Sequence, residues 1–269
     1  MKKVGLVFGT LLAFFAVEKL VMLGIGPLLK PITKGMLGYF FVQLILELAM
    51  LFVFIVLNQK VVKQKILFEK YPLLKGFGLM WYTWLILVVL VMTELSGMKK
   101  ASLSFSEGAL ALVLALTIGC AEEFIFRGLI LGKMVSSGSS VLVALCVSSV
   151  LFGAVHFINL LHNSFYNVGL QVLYAIPLGA FLGLLYLKSN ALIYPIVAHG
   201  LQDFAAFFIS GGKMDSTMAT PQTVLQLYVV FGVIVVAYYL TGKKQLRLFK
   251  IRLENAVSTD STLKGGLGK

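Results

Sequence analysis

Charged residues are scarce in this chain of 269 residues, of which only 13% are Asp, Glu, Lys or Arg. An average soluble domain contains roughly 25% of these residues. Hydrophobic residues make up 59% of the chain and the mean hydropathy is +0.96. Soluble domains contain only about 45–50% apolar residues. The composition therefore excludes an ordinary soluble domain and indicates that lipid is the main solvent of the chain.

Cysteine and the common protease motifs are also scarce or missing. The two cysteines, Cys120 and Cys146, both lie in apolar segments and form no C-x-x-C pair, which gives no support for a zinc ribbon or a redox motif. None of the three histidines belongs to an H-E-x-x-H motif, so a zinc helix of the site-2 type is excluded. The Gly-x-Gly-Asp pattern of intramembrane aspartyl proteases and a rhomboid-like Gly-x-Ser-Gly are absent.

Long apolar runs are abundant. A spanning helix needs about 20 mainly apolar residues, and the sequence contains eight candidates, of which the third is short. We predict an all-α, polytopic membrane protein with a membrane domain over residues 1–242, an uncleaved first span and a tail over residues 243–269. The predicted spans are Val4–Leu29, Met36–Leu57, Phe77–Met92, Ala109–Leu131, Ser140–Leu160, Val168–Leu187, Ala191–Ser210 and Val224–Thr241.

The net charge of +12 comes from basic residues in the connections between these runs. This distribution is typical of membrane orientation rather than of nucleic-acid binding, which we do not expect. One set of connections is richly basic, and the positive-inside rule then places both termini in the cytosol of a multi-pass cell-membrane protein. The predicted inner set is Lys2, Lys3, Lys60, Lys63, Lys65, Lys70, Lys75, Lys133, Lys188 and the tail, whereas the outer set is Lys30, Lys34, Lys99, Lys100 and Lys213.

The start of the tail, Lys243–Glu254, has the spacing of a basic amphipathic helix. Leu246, Phe249 and Leu253 share one face, and basic residues occupy another. Such a helix suits the anionic inner surface of a membrane. A simple anchor after the last span is the alternative.

Ionisable side chains inside a bilayer cost about 2.5–3.5 kcal/mol each even on lenient scales, so they are the first candidates for function. The predicted spans contain eight that we consider here: Glu18, Glu47, Glu122, Glu123, Arg127, His156, His199 and Asp203. For a single residue of this kind, hydrogen bonding between helices is the better explanation. Six of these residues concentrate in three spans, which favours a reaction site. Glu18 and Glu47 lie outside those three spans and are expected to be structural or interfacial.

The spacing of these residues suggests different roles. Glu123 and Arg127 are four residues apart with the acid first, so they can form an ion pair within one helix. Glu122 lies about 100° around the helix axis and lacks that partner. An unpaired carboxylate in a dry site suits a general base. His199 and Asp203 share one face of the seventh predicted span, and His156 lies in the fifth.

Glu122-Glu123-x-x-x-Arg127, Phe152-x-x-x-His156 and His199-x-x-x-Asp203 resemble the three signature motifs of the CPBP family. That family comprises CAAX prenyl endopeptidases and bacterial bacteriocin-processing or immunity proteins. The resemblance covers about residues 109–208 and implies an intramembrane endopeptidase. It implies that Glu122, assisted by His156, activates water, that His199 and Asp203 line the oxyanion site, and that Glu123 and Arg127 hold the helix in place.

Asp203 stands where prenyl endopeptidases carry Asn, and an ionised Asp would repel an oxyanion. It must therefore be protonated, pair with His199 or bind a metal. Glu122, His156, His199 and Asp203 are a plausible ligand set for zinc, so a metal-free glutamate mechanism and a metalloprotease both stay open. The expected substrate is a membrane-associated peptide or protein. Maturation of a peptide pheromone or of a bacteriocin fits better than cleavage of a prenylated substrate. A non-catalytic immunity or scaffold protein and a proton-coupled transporter are the alternatives.

Overall fold

The computed structural model describes residues 2–32, 34–95, 103–210 and 220–266. These residues are helical nearly throughout, and within them the only β pairing is an isolated bridge between Phe68 and Ala191. The prediction of an all-α membrane fold is confirmed. The α-helices are α1 Lys2–Leu29, α2 Gly35–Leu57, α3 Leu73–Leu79, α4 Trp81–Leu95, α5 Phe105–Glu123, α6 Gly132–Ser136, α7 Val141–Ala154, α8 Phe165–Ser189, α9 Ile193–Ser210, α10 Pro221–Thr241 and α11 Lys243–Gly266.

Three of the helical rods change their winding along their length. Phe124–Leu131 continues α5 as a π-helix into α6, and Val155–Leu161 continues α7 as a 3-10 helix. A shorter π-helical segment, Asn58–Val62, extends α2. π-Helical segments are rare and often occur at functional sites.

Five helical rods among the described residues are long and apolar enough to cross a membrane: Gly35–Val62, Phe105–Ser136, Val141–Leu161, Phe165–Ser189 and Val224–Thr241. They correspond to five of the predicted spans. Helices also occur at the other three, as α1, α4 and α9, although α4 has only 15 residues. Large apolar side chains such as Phe52, Leu225 and Val233 are exposed on the outside of the bundle. An apolar exterior of this kind is what a lipid-facing surface requires.

Helix α5 occupies the middle of the bundle, with α9 on one side and α2 on the other. Helices α7 and α8 pack together beside the π-helical continuation of α5, and α1 packs on α2. The three motifs therefore come from adjacent elements. The side of α5 that faces α2 is available to a further polar side chain.

The connections predicted to lie inside are gathered at one end of the bundle. Lys133 donates a hydrogen bond to the carbonyl of Val62 at 3.0 Å, and the amide of Leu192 donates to the carbonyl of Leu67 at 3.0 Å. Arg252 of the tail forms an ion pair with Glu69. Of the predicted outer lysines, Lys99, Lys100 and Lys213 lie outside the described residues. The cytosolic assignment of the shared end stays a prediction.

The apolar face of the tail is not free for lipid. Leu246, Phe249 and Leu253 are buried in a cluster with residues of α6, α7 and α8, and the Phe249 ring packs edge-on against Tyr186 with centroids 5.0 Å apart. Periodicity identified the amphipathic helix correctly, but its apolar face contacts protein. The exposed face carries Lys243, Lys244, Arg247 and Arg252.

Candidate active site

Glu123 is the polar centre of the site and is completely buried at the end of α5. One of its carboxylate oxygens, Oε1, accepts a hydrogen bond from Nη1 of Arg127 at 2.6 Å and contacts Nδ1 of His199 at 3.0 Å. The predicted ion pair between Glu123 and Arg127 is therefore present. The same carboxylate also contacts His199, which the spacing did not predict. A single oxygen joins the π-helical segment after α5 to α9.

Arg127 is held on three sides. Besides Glu123, its Nη2 donates to the carbonyl of Gly179 at 3.0 Å, and its guanidinium carbon lies 4.3 Å from the ring centroid of Phe152. A Cβ at position 179 would lie 3.1 Å from the Phe152 ring and 3.2 Å from Nη2 of Arg127. Because residue 179 is glycine, α8 leaves enough space for the guanidinium group of Arg127.

Phe152 organises the two histidines. Its ring contacts His156 and His199 edge-on, with centroid distances of 5.7 and 5.5 Å. Sequence reasoning quoted Phe152 as part of a motif but gave it no role. Its position four residues before His156, on the same face of a helix, was the only available signal.

Asp203 lies beside the other side of His199, with Oδ2 3.5 Å from Nε2, and its side chain keeps 29% of its surface accessible. Of the three states that the sequence left open, pairing with His199 is the one whose geometry is present. His199 is thus flanked by two carboxyl groups, one at each ring nitrogen.

Two glycines set the separation of α5 and α9. A Cβ at Gly119 would lie 2.8 Å from the carbonyl oxygen of Ile196, and a Cβ at Gly200 would lie 2.8 Å from the Cα of Leu116. Both obstacles are backbone atoms, which cannot rotate away. The two glycines allow the close approach at which Glu123 reaches His199 one turn further along.

Glu122 points to another side of α5. It lies close enough to His199, Asp203, Glu123 and Arg127 to interact electrostatically with each. Nevertheless, its Oε2 is buried and has no hydrogen-bond partner among the described residues. The unpaired carboxyl predicted from helical spacing is therefore present, and it lies beside the cluster centred on Glu123.

His156 is near the cluster but is not bonded to Glu122. It interacts electrostatically with His199 and contacts Phe152, and no hydrogen bond between His156 and Glu122 occurs within the described parts of the chain. Any assistance that His156 gives to Glu122 in this arrangement would therefore run through a water molecule.

Glu47 was expected to stand apart from the site, and that expectation was wrong. Its carboxyl on α2 interacts electrostatically with Glu122, Asp203, His199 and also Glu18 of α1. Nothing in the sequence around Glu47 reveals this, because the contact depends on how α1, α2 and α5 pack together.

The possible zinc ligands Glu122, His156, His199 and Asp203 do not form a metal site in this geometry. In the described ranges no group of three His, Cys, Asp or Glu side chains is placed to hold a metal ion. Both ring nitrogens of His199 already face carboxyl groups, whereas a ligating nitrogen must face the ion.

Ser148 and Ser149 have structural roles. Ser148 donates to the carbonyl of Phe126 at 2.8 Å, and Ser149 donates to the carbonyl of Leu145 at 2.7 Å. The first bond satisfies a carbonyl of the π-helical segment and ties α7 to it. Neither hydroxyl is paired with a histidine, in agreement with the absence of a nucleophile motif.

Residues 104–205 match the family described as Type II CAAX prenyl endopeptidase Rce1-like. Comparisons with curated proteins and with solved structures find no significant match. The matched range contains all three motifs and every side chain of the Glu123 and His199 cluster. A membrane protease is the activity that this family implies. This match to residues 104–205 confirms the resemblance drawn from the motifs.

Proposed function

We propose that this protein is an intramembrane endopeptidase that hydrolyses a peptide bond of a membrane-associated substrate, with Glu122 as the base that activates water. One observation supports this most directly. Glu123 is neutralised by Arg127 and His199, whereas Oε2 of the adjacent, partly buried Glu122 has no hydrogen-bond partner among the described residues. A carboxylate without a partner in a dry site can take a proton from water with little competition.

The proposed reaction balances without a cofactor. The water oxygen attacks the carbonyl carbon of the scissile bond, and its proton passes to Glu122. The carbon–nitrogen bond then breaks, and Glu122 gives that proton to the leaving amine. Glu122 returns to its starting state, and the products are a carboxylic acid and an amine.

We assign the oxyanion to His199. Contact with Glu123 at Nδ1 and with Asp203 at Nε2 favours the doubly protonated ring. The Asp203 contact is long, at 3.5 Å, so the Nε2–H is not committed to Asp203 and can donate to a developing oxyanion beside it. The two carboxyl groups balance the positive ring, which reconciles an Asp at position 203 with an oxyanion site.

The family match and the position of the site among apolar helices support the substrate class that we propose. A peptide with a CAAX end, in which a prenylated cysteine is followed by three more residues, is the substrate type that the family description names, and its lipid would lie beside apolar helices. Peptide pheromones and bacteriocin precursors are the alternatives within the same chemistry, and a multi-pass position in the cell membrane suits all three.

The experiment measures cleavage of quenched fluorescent peptides by the full chain in detergent. One peptide carries an isoprenylated cysteine followed by three C-terminal residues, and another has the same sequence without the isoprenyl group. We expect Glu122→Gln and His199→Gln each to lower kcat by about 10²-fold or more, the usual contribution of a general base or an oxyanion donor. Thr117→Val, on the same helix and away from the site, is the matched control, because its hydroxyl bonds only to the carbonyl of Val113.

Retained cleavage by Glu122→Gln contradicts the assigned base. A chelator arm tests the metal alternative, since the proposed mechanism predicts the same rate with and without a chelator. Loss of activity that added zinc restores would favour the metalloprotease. If no peptide is cleaved but bacteriocin protection in cells persists in both variants, a non-catalytic immunity protein is the better explanation.

A further inference from the structure

Carboxyl groups outnumber the cations around the site. Arg127 is committed to Glu123, and His199 lies between Glu123 and Asp203. Glu122 and Glu47 also interact with this cluster. After these pairings, neither has a cation of its own. Two carboxylates close together in a dry site cannot both carry a charge cheaply.

Packing of α2 against α5 turns Glu47 toward Glu122. Met50 and Phe54, one and two turns after Glu47, are buried in a cluster that also contains Ala121 and Ile125 around Glu122. This side of α2 therefore faces α5 rather than lipid. Glu18 approaches the same place from α1, one turn after the buried Phe14.

Glu47 has no structural contact that would explain an acid at this position. Its Oε2 is buried and has no hydrogen-bond partner among the described residues, as is true of Glu122. A buried polar atom without a partner costs about 1–3 kcal/mol. An apolar side chain would pack against Met50 and Phe54 without that cost, so the carboxyl has another use.

We propose that Glu47 is a positioning residue for Glu122, and that the two carboxyl groups share a single negative charge. This inference rests on the proposed function for its catalytic meaning. The proton resides on Glu47, because Glu122 shares its helical rod with Arg127, whereas Glu47 lies on α2, on the side of α5 away from α9 and His199. Glu122 is thereby kept ionised and able to accept the proton of water. The proton of Glu47 is not consumed in the cycle.

The first test does not need activity. Dicyclohexylcarbodiimide enters apolar sites and adds to protonated carboxyl groups, since the acid proton moves to a carbodiimide nitrogen and the oxygen bonds to the central carbon. The full chain in detergent is labelled at neutral pH, and the adducts are located by mass spectrometry. We expect an adduct on Glu47 and none on the exposed Glu254.

Replacing Glu122 should change that labelling. In Glu122→Gln the neighbouring charge is gone, so Glu47 ionises more readily, and the pH at which its labelling is half-maximal falls by about one unit, a tenfold change in proton concentration. Glu254→Gln is the matched control and should leave the labelling of Glu47 unchanged. The same pH of half-maximal labelling of Glu47 in wild type and Glu122→Gln overturns the shared charge. Absence of any adduct on Glu47 in the wild type overturns the assignment of the proton.

The second test uses cleavage. Glu47→Gln resembles the protonated acid but cannot ionise, so the test compares the shapes of the two pH profiles of kcat. At alkaline pH the wild type acquires a second charge beside Glu122 and loses activity, while Glu47→Gln retains it. A purely structural Glu47 would leave the two pH profiles superimposable, which would contradict the proposal. If the wild type cleaves no peptide, the proposed function fails, and the labelling result still decides whether Glu47 and Glu122 are coupled.

Discussion

Replacing Gly200 with alanine is the sharpest test of how α5 and α9 build the site. The new Cβ would lie 2.8 Å from the Cα of Leu116 and 3.0 Å from the carbonyl oxygen of Ala115. Both are backbone atoms, so a change of rotamer cannot relieve the contact. The helices must move apart by about 0.6 Å to restore an ordinary contact at 3.4 Å.

Such a shift affects the site directly, because His199 adjoins Gly200 in sequence. The contact between His199 Nδ1 and Glu123 Oε1, now 3.0 Å, would lengthen to about 3.6 Å and cease to be a hydrogen bond. Overpacking of this size costs about 1–3 kcal/mol of stability. A displacement approaching 1 Å at a catalytic group can lower the rate by about 10²-fold. We therefore expect kcat to fall by about 10- to 100-fold, with the larger loss if Glu122 moves as well.

The assay compares the cleavage rate with the temperature of half-unfolding in the same detergent. Gly108→Ala, on α5, is the control, since a Cβ there meets nothing within 4 Å. It should be neutral or slightly stabilising, because alanine favours a helix over glycine by about 1 kcal/mol. Gly119→Ala should reproduce the loss seen for Gly200→Ala from the opposite helix. Wild-type kcat in Gly200→Ala would refute the conclusion that this crossing sets the catalytic geometry.

Three further variants test contacts that support the site and the tail. Arg127→Lys keeps the charge but loses the second donor to Gly179, and thermal unfolding should show a loss of about 1.5–3 kcal/mol, the value of a hydrogen bond to a charged group. Phe249→Ala removes a fully buried ring beside Tyr186 and should cost about 3–5 kcal/mol, with faster proteolysis of the tail as the readout. Arg252→Ala breaks an exposed ion pair with the connection after α2. Such a pair contributes about 1 kcal/mol or less, so the unfolding temperature should stay close to that of the wild type.

Much of the fold could be predicted because apolar length is a local property of the sequence. The predicted span Met36–Leu57 coincides with α2 to within one residue, and Val224–Thr241 ends with α10. Pairing within one helix is equally local, and the ion pair between Glu123 and Arg127 was predicted from spacing alone. The three motifs then located the cluster, since each supplies a polar face of a different helix.

Packing between helices could not be predicted in the same way. Glu47 is isolated among apolar residues in the sequence, and only the approach of α2 to α5 brings it to Glu122. The π-helical turn after Glu123 leaves no local signal either, although it directs Arg127 to Gly179. The apolar face of the tail was recognised, but lipid and protein are both apolar, so hydrophobicity could not distinguish between these two partners.

The adjacent acids Glu122 and Glu123 show how one helix can supply two opposite kinds of carboxyl group. Consecutive residues are about 100° apart on a helix, so they cannot face the same neighbour. Glu123 faces Arg127 and α9, where its oxygen contacts two nitrogen groups. Glu122 consequently faces away from Arg127 toward α2, where Glu47 offers a third carboxyl rather than a cation. Glu122 and Glu123 therefore cannot exchange their neighbours unless α5 rotates about its axis. The close backbone contacts at Gly119 and Gly200 oppose that rotation. The same crossing that brings Glu123 to His199 thus leaves Glu122 without such nitrogen partners, which is the basis of the role proposed for it.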